Sequence, residues 1–264
     1  MSEAQAIRFE DGAAYERYMG RWSQRVGTEF LDWLGLPQAL EWLDVGCGNG
    51  AFTELLIRRC APARVCGIDP AAAQLAYARR RDGVQAAQFL EGDAMALPFP
   101  ADSFDVAVMP LVIFFVPEPA RGVAEMARVV RPGGTVAAYT WDMEAGGFPY
   151  QLLRTQMQEL GLAPPAPPSV DASRVEALAE LWAGAGLTAV QLRPITVHRT
   201  FTDFEDYWHT VLGAPSMGRK LAALAPGQRA QLWARLKERL ATDPAGAIRC
   251  TARTNAVRGR VAVG

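Results

Sequence analysis

A glycine-rich segment and an aspartate downstream of it carry the residue types that could bind a nucleotide-like ligand. Residues 43–50 read LDVGCGNG and place three glycines directly after a short apolar run. Glycines at a strand-to-helix turn let the backbone approach a ligand closely and can present helix N-terminal N–H groups to an anion. Asp69 follows about twenty residues later, where a carboxylate at the end of the next strand can accept both hydroxyls of a ribose. This pattern is typical of nucleotide-binding α/β proteins in general.

Two classes of nucleotide-binding protein remain open at this point. Gly46, Gly48 and Ala51 satisfy the dinucleotide pattern G-x-G-x-x-G/A, which favours a nicotinamide-dependent oxidoreductase. Asp44, however, lies two residues before the first glycine, where a carboxylate suits a ligand with a cationic ammonium group. The run Gly92–Ala94 adds a second carboxylate, Asp93, after the third predicted strand. No tyrosine is followed by lysine four positions later, so the tyrosine–lysine pair of short-chain dehydrogenases is missing.

The elements that position these residues alternate between strand and helix. Apolar runs predict strands at 40–45, 64–68, 88–90, 104–109 and 135–141, the last after a Pro132–Gly134 turn. Helical spacing predicts helices at 14–34, 52–60, 71–81 and 118–130. This alternation predicts a doubly wound, mostly parallel sheet of the Rossmann-like α/β class.

The pattern changes after residue 145. Helices are predicted at 150–160 and 173–185, and long strands at 190–201 and 248–261. Two helical stretches, 203–221 and 226–241, lie between these strands. We therefore expect seven strands in all, with an antiparallel pair at the sheet edge and a helical lid insertion at 203–241. The whole chain, 1–264, is expected to form a single domain whose ligand-binding core is 40–145.

Composition restricts the partners and the compartment. The formal net charge is −1, which does not favour a nucleic-acid or anionic-membrane surface. The four cysteines have no metal-binding spacing, so buried thiols and no metal site are expected. The first twelve residues lack the features of a signal peptide, and no apolar run is long enough to span a membrane. We expect a cytoplasmic protein, and the sequence leaves its oligomeric state open.

Several motifs, in order along the chain, resemble those of the class I S-adenosylmethionine-dependent methyltransferases. They are the runs 43–50, 67–70 (GIDP), 91–94 (EGDA), 97–99 (LPF), 104–106 (FDV) and 125–134 (EMARVVRPGG). The resemblance is strongest to the small-molecule subgroup with a type 11 methyltransferase domain, which includes the ubiquinone and menaquinone methyltransferases. Residues 15–22 (YERYMGRW) also resemble the N-terminal helix of that subgroup, which covers the cofactor.

The resemblance implies an S-adenosyl-L-methionine site at the carboxyl ends of the strands. The residues implied to contact this cofactor are Tyr18, Arg21, Asp44, Gly46, Gly48, Gly50, Asp69, Pro70, Asp93, Ala94, Met109, Pro110 and Leu111. Asp44 would receive the ammonium group or would orient the glycine loop. Asp69 would bind the ribose and Asp93 the adenine amino group, and capping of the next turn is the alternative for both. For Tyr18 and Arg21 the alternative is a helix face that packs on the core.

The resemblance further implies methyl transfer to a small organic acceptor by in-line displacement. Many relatives have His-His where this chain has Phe114-Phe115, so we expect a more apolar acceptor site. Residues predicted to line it are Phe114, Trp141, Tyr207 and Trp208. His209 is the candidate catalytic base, with a solvated histidine as the alternative. A nicotinamide-dependent oxidoreductase and a non-catalytic S-adenosylmethionine-binding protein remain the alternative functions.

Overall fold

The computed structural model describes residues 16–164 and 166–264. Within them, the strands are β1 Glu41–Val45, β2 Arg64–Asp69, β3 Ala87–Glu91, β4 Phe104–Pro110, β5 Val130–Trp141, β6 Thr188–Phe201 and β7 Ile248–Arg260. The α-helices are α1 Arg21–Leu34, α2 Ala51–Cys60, α3 Ala72–Ala78, α4 Pro119–Val129, α5 Gln151–Glu159, α6 Val175–Gly184, α7 Phe204–Leu212, α8 Pro215–Ala222 and α9 Pro226–Arg239. A π-helical turn at Glu16–Gly20 precedes α1, and 3₁₀ turns lie at Ile113–Phe115 and Val170–Ser173. Residues 14 and 15 of the predicted N-terminal helix lie outside the described residues.

One sheet holds the strands in the order β3-β2-β1-β4-β5-β7-β6. Strands β1 to β5 pair in parallel, whereas β7 is antiparallel to both β5 and β6. The predicted doubly wound α/β fold with an antiparallel edge is therefore confirmed. Because the strand order reverses between β1 and β4, a crevice opens at their carboxyl ends, where open α/β sheets bind ligands.

Both faces of the sheet are buried, which explains why β1, β2 and β4 are apolar along most of their length. The core on one face includes Trp22 and Phe30 of α1 and Tyr139 of β5. The core on the other face includes Met126 of α4 and Trp182 of α6. Consecutive strand residues point to opposite faces, so this period-two alternation decides which side chains can reach the crevice.

The predicted turn at 132–134 is wrong, because these residues lie inside β5. Val130 pairs with Phe104 and Thr135 pairs with Val106, so four residues of β5, 131–134, lie opposite one residue of β4. These residues form a bulge, in which Gly133 has φ +79° and donates its N–H to the Val261 carbonyl at 2.9 Å. Gly134 accepts from the Val261 N–H at 3.0 Å, so hydrogen bonds to the segment after β7 hold in the sheet a sequence that is locally typical of a turn.

The predicted helix 203–221 is in fact two helices, α7 and α8. Pro215 begins α8, and proline disfavours a helical backbone at the residue before it. Ala214 has an extended backbone there, which ends the first helix.

The segment between β6 and β7 leaves and rejoins the sheet at its carboxyl edge. The last pair of the β6–β7 ribbon is Phe201 with Ile248, whereas β5 ends at Trp141, opposite Thr254. The ribbon thus extends past β5 by about 20 Å at the usual rise of a strand. The helices between β6 and β7 thus start and end at the edge of the sheet where the lid is expected. That these helices cover a ligand stays a prediction.

Among the described residues, no helix has both the length and the apolar character that crossing a membrane requires. In the same part of the chain, histidine, cysteine and carboxylate side chains do not come together in any group of three that could hold a metal ion.

Candidate functional site

A cavity of about 170 Å³ lies at the carboxyl ends of β1, β2, β4 and β5. We call it the loop cavity, because the glycine loop that follows β1 forms one side of it. Its lining residues are Ser23, Asp44, Gly46–Asn49, Ala51, Phe52, Asp69–Ala71, Gln74, Pro110–Val112, Phe115 and Tyr139. Seven of the predicted contact residues are among them: Asp44, Gly46, Gly48, Asp69, Pro70, Pro110 and Leu111.

The glycine loop requires its glycines for two different reasons. Gly46, Gly48 and Gly50 have φ of +74°, +51° and +78°, a left-handed conformation that other residues rarely adopt. A Cβ at Gly46 would lie 2.4 Å from the Val112 side chain, so the loop and the β4 end pack too closely for any side chain. A Cβ at Gly48 would meet nothing within 4 Å. Gly48 therefore keeps free space on the side of the loop that lines the cavity.

Five N–H groups of this loop donate within the protein, contrary to the expectation from the glycine pattern that they face an anion. Gly46 and Cys47 both donate to the Ile68 carbonyl, at 2.7 and 3.0 Å. Gly48 donates to Asp69 Oδ2 at 2.9 Å. Gly50 donates to the Cys47 carbonyl, and Ala51 to Asn49 Oδ1. The Ile68 carbonyl, Asp69 and acceptors within the loop thus bind these five N–H groups, which a pyrophosphate would need as donors.

Asp44 is a fully buried carboxylate with only one satisfied oxygen. Its Oδ2 accepts a hydrogen bond from the Thr53 hydroxyl at 2.6 Å, while Oδ1 has no hydrogen-bond partner. Burial raises the pKa of Asp44 to about 7; the Thr53 bond lowers this pKa, and the nearby charge of Asp69 raises it. An unpaired buried carboxylate oxygen costs free energy, which a cationic ligand group would recover. The geometry therefore fits an ammonium group at Asp44.

Asp69 already has two backbone partners. Its Oδ2 accepts from Gly48 N–H, and its Oδ1 accepts from Ala71 N–H at 2.8 Å. Burial raises the pKa of Asp69, and these two hydrogen bonds lower it. Asp69 thus stabilises both the glycine loop and the start of α3. The bond to Ala71 is the capping role that the sequence allowed as the alternative to ligand binding. Each carboxylate oxygen has a second acceptor site, so Asp69 can also accept from ligand hydroxyls.

Asp93, Ala94 and Gly50 do not line the loop cavity. Asp93 is exposed, and its Oδ1 accepts from Met95 N–H at 2.8 Å, which is the expected turn-capping bond. Gly50 faces away, because its missing Cβ would lie 3.1 Å from Ala78 of α3. Contact of Asp93 and Ala94 with an adenine stays a prediction.

Met109 points to the wrong side of the sheet for its predicted role. It is fully buried in the core that also contains Met126 of α4, whereas Pro110 and Leu111 line the cavity. Strand alternation is the reason. Leu111 adopts φ +60°, a strained backbone for a leucine, and its N–H donates to the Tyr139 carbonyl at 2.8 Å. This strain lies at the wall of the site, as is typical of functional positions.

On the side away from Asp69, the cavity is lined mainly by apolar and aromatic side chains. Phe115 lines it, whereas the predicted Phe114 is buried in the core with its ring 4.5 Å from that of Phe115. Tyr139 lines it, whereas Trp141, two residues further along β5, is buried outside it. Phe115 and Tyr139 thus take the places expected for their neighbours Phe114 and Trp141, and Ser23 lines the cavity without a signal in the sequence. Strand alternation cannot separate Tyr139 from Trp141, because both point to the same face.

Tyr18 and the lid aromatics pack in a buried cluster instead of lining the cavity. The Tyr18 ring stacks on Tyr150 at 4.4 Å, and Tyr207 lies 6.0 Å from the same ring. Trp208 stacks on Phe204. Arg21 and His209 are exposed, and neither lines the loop cavity. Contacts of these residues with a ligand therefore stay predictions.

The turn before α1 is fixed to the glycine loop. Glu16 Oε2 accepts from Asn49 Nδ2 at 3.2 Å and from Arg81 Nη1 at 3.1 Å. Arg81 is largely buried and also pairs with Glu54 at 2.6 Å. This network holds the start of the N-terminal helix beside the loop, as a helix that covers a ligand at the loop would require.

We expect Tyr150→Phe to lower the free energy of unfolding by about 1–3 kcal/mol. The Tyr150 hydroxyl donates to the Tyr18 carbonyl at 2.8 Å and accepts from Trp22 Nε1 at 3.2 Å, so its loss leaves a buried donor and acceptor without this partner. Urea unfolding measures the effect, and Tyr77→Phe on α3, where the tyrosine is only half-buried, is the matched control. Equal stabilities of the two variants would contradict the assigned network.

Part of the chain is similar to known methyltransferases. Residues 43–138 match the family described as a methyltransferase domain. Over 109 residues the chain is 41% identical to the 2-phytyl-1,4-naphtoquinone methyltransferase of Thermosynechococcus vestitus. The aligned region covers 40% of this chain and 48% of that protein. The chain spans about half the length, or less, of the curated relatives it matches first.

Two solved structures share the fold. Phosphoethanolamine N-methyltransferase 2 of Haemonchus contortus, in complex with S-adenosyl-L-methionine, has a TM-score of 0.56 and 14% identity over 98% of this chain and 61% of that chain. The cyclase SpnF has a TM-score of 0.54 and 22% identity over 91% of this chain and 81% of that chain. Because a methyltransferase and a cyclase both have this fold, function depends on the site.

Proposed function

We propose that this chain, whose residues 43–138 belong to the methyltransferase domain family, transfers a methyl group from S-adenosyl-L-methionine to a small, largely apolar acceptor. One observation carries the proposal. Asp44 and Asp69 open into the same cavity, and none of its described lining residues is a lysine, arginine or histidine. A cavity with this charge favours a cationic ligand.

The same electrostatics disfavour the nicotinamide-dependent alternative. A pyrophosphate would lie against two carboxylates, without a lining cation and without the loop N–H groups, which donate within the protein. Such a charge arrangement opposes an anionic group and favours an ammonium group. Close packing on Val112 then explains the first glycine of the dinucleotide-like pattern, Gly46.

Six of the lining residues have a proposed task in binding or orientation. Asp44 receives the ammonium group and Asp69 the ribose hydroxyls, while Pro70 packs against the adenine. S-adenosyl-L-methionine supplies a methyl group that its sulfonium has already activated. The protein therefore has to align the acceptor and exclude water, and the apolar wall of Leu111, Phe115 and Tyr139 suits both tasks.

The apolar wall also supports an apolar acceptor. The relative from Thermosynechococcus vestitus is named for a phytyl naphthoquinone, which is a large apolar molecule. In this chain Phe115 lines the cavity where many relatives would have an imidazole, and a phenyl ring cannot accept a proton. We therefore expect an acceptor that is already nucleophilic, or a base outside the described lining residues, for which His209 is the candidate.

Calorimetry and methyl transfer test the proposal separately. We expect S-adenosyl-L-homocysteine to bind at one site per chain and NADH not to bind. We expect labelled methyl from S-adenosyl-L-methionine to enter the organic phase with a prenylated naphthohydroquinone as acceptor. Binding of NADH in place of S-adenosyl-L-homocysteine would establish the oxidoreductase alternative. Cofactor binding with no transfer to quinol, phenol or fatty-acid acceptors would favour the non-catalytic alternative.

Asp69→Ala is expected to weaken S-adenosyl-L-homocysteine binding by about 10- to 100-fold, because two ribose hydroxyls lose their acceptor. Asp69 also accepts from Gly48 and Ala71, so we expect a modest drop in melting temperature as well. Asp82→Ala is the control, because Asp82 is exposed and does not line the loop cavity. A lowered melting temperature with unchanged affinity would show that Asp69 is purely structural.

A further inference from the structure

A second cavity, of about 600 Å³, lies on the surface between α1 and the edge strand β6. It shares no lining residue with the loop cavity. We call it the edge groove. Its polar walls are Arg25 and Glu29 of α1, Thr196, His198 and Thr200 of β6, and Arg249 of β7.

The charge of the edge groove is positive. Its described lining residues include two arginines, Arg25 and Arg249, and one carboxylate, Glu29. Arg25 Nη1 donates to the His198 carbonyl at 2.6 Å, which fixes this guanidinium at the groove and leaves its other N–H groups for a ligand. His198 Nδ1 is held by the Thr251 hydroxyl at 2.9 Å, so the imidazole is also oriented.

The backbone of β6 adds donors to the same groove. His198 is opposite Thr251, and its carbonyl points outward to Arg25, so this is a non-hydrogen-bonded pair of the ribbon. Thr196 is opposite Arg253, whose own N–H and C=O bond to Gly147 and Asp142, away from β6. Hydrogen-bonded and non-hydrogen-bonded pairs alternate with a period of two along an antiparallel ribbon. The N–H groups of Thr196, His198 and Thr200 therefore point sideways from the edge of the sheet, into the groove.

This edge is poorly suited to pairing with another strand. Arg25 crosses it and occupies the His198 carbonyl, and Pro194 has no N–H to offer. The carbonyl at the centre of the groove is therefore taken. The outward carbonyls of Thr196 and Thr200 remain as acceptors, but they are outnumbered by the N–H groups, the threonine hydroxyls and the guanidinium donors. A groove in which donors predominate and whose lining charge is positive fits an oxyanion.

We propose that the edge groove binds a phosphoryl group, either as free phosphate or as the headgroup of an anionic lipid. The donors come from three directions, α1, β6 and β7, which suits the several oxygens of a phosphoryl group better than the two of a carboxylate. Chemistry at the loop cavity plays no part in this inference, which would stand if the proposed methyl transfer failed. The formal net charge of −1 conceals such a site, because the charge that matters is local.

Calorimetry with inorganic phosphate, at constant ionic strength in a phosphate-free buffer, tests the site. We expect saturable binding at one site, weakened at least about fivefold by Arg249→Gln, which removes one charge-assisted donor. Glu29→Gln should tighten binding about two- to fivefold, because Glu29 is the only carboxylate among the described lining residues of the groove. Arg121→Gln, an exposed arginine on α4, is the matched control and should change nothing.

Co-sedimentation with phosphatidylcholine vesicles, with and without phosphatidic acid, identifies the source of the phosphoryl group. Sedimentation that depends on phosphatidic acid and is lost in Arg249→Gln identifies a lipid headgroup. Phosphate binding without sedimentation identifies a free phosphate. Absence of saturable binding to both probes overturns the proposal, as does equal affinity in the native protein, Arg249→Gln and the folded double variant Arg25→Gln/Arg249→Gln.

Discussion

Asp44→Asn is expected to abolish detectable cofactor binding at pH 8 and, at the same time, to stabilise the protein without cofactor. The loss of binding follows because the amide cannot supply the negative charge that the ammonium group requires. The gain in stability follows because a buried carboxylate with one unpaired oxygen opposes folding when it is ionised.

The pH dependence of this gain has a definite sign. Burial raises the pKa of Asp44 from its ordinary 3.8 to about 7 in the folded protein. Between these values the folded state binds a proton that the unfolded state has released, so the free energy of unfolding falls as pH rises. The destabilisation is complete above pH 7 and is absent below pH 4. We therefore expect Asp44→Asn to be more stable than the native protein by about 2–4 kcal/mol at pH 8, and nearly equal to it at pH 4.

Urea unfolding at the two pH values, with calorimetry for S-adenosyl-L-homocysteine, measures both effects. Cofactor affinity of the native protein should rise between pH 6 and pH 8, as Asp44 ionises. Asp102→Asn, the same chemical change at an exposed position, is the control. Normal cofactor affinity in Asp44→Asn would refute the ammonium assignment. Lower stability at both pH values would show that Asp44 acts mainly through its bond to Thr53.

Alanine at Gly46 and alanine at Gly48 are expected to have opposite consequences. Gly46→Ala should destabilise the fold by about 2–4 kcal/mol, from a left-handed backbone together with overpacking. The overpacking arises because the new methyl would lie 2.4 Å from the Val112 side chain. Gly48→Ala should cost only about 1 kcal/mol, since its methyl meets no protein atom within 4 Å. Because Gly48 lines the loop cavity, we expect the added methyl to take ligand space and cofactor affinity to fall at least about tenfold.

Thermal unfolding and calorimetry of the two variants separate these effects. Combining Gly46→Ala with Val112→Ala should recover part of the lost stability, because the clash is removed while the backbone strain remains. Equal cofactor affinity in Gly48→Ala and the native protein would mean that the ligand does not lie against this part of the loop. A fully stable Gly46→Ala would show that the β4 end moves aside at little cost.

The spacing of residue types along the sequence was sufficient to predict most helices and strands and the residues at the centre of the site. Alternation of apolar runs with helical periodicity predicted β1 to β4 and their helices, because both faces of a parallel sheet must be buried. The glycine loop, Asp44 and Asp69 were found from sequence because each is fixed by its distance from a strand end. The antiparallel edge pair was also predicted, since two late strands joined by a helical segment suit an antiparallel pair at the sheet edge.

Tertiary structure decided which neighbouring residue performs each task. Phe115 rather than Phe114 lines the cavity because Phe114 packs into the core, and Tyr139 lines it rather than Trp141 because the cavity ends before Trp141. Three loop N–H groups, those of Gly46–Gly48, do not face an anion because the Ile68 carbonyl and Asp69, about twenty residues away, accept from them. The edge groove exists only because α1 packs beside a strand that follows it by more than 150 residues. Sequence by itself determined the features that depend on the order and spacing of residues along one element. Only the folded chain decided those that depend on which distant atoms meet, because burial, hydrogen-bond partners and local charge are set by contacts between elements.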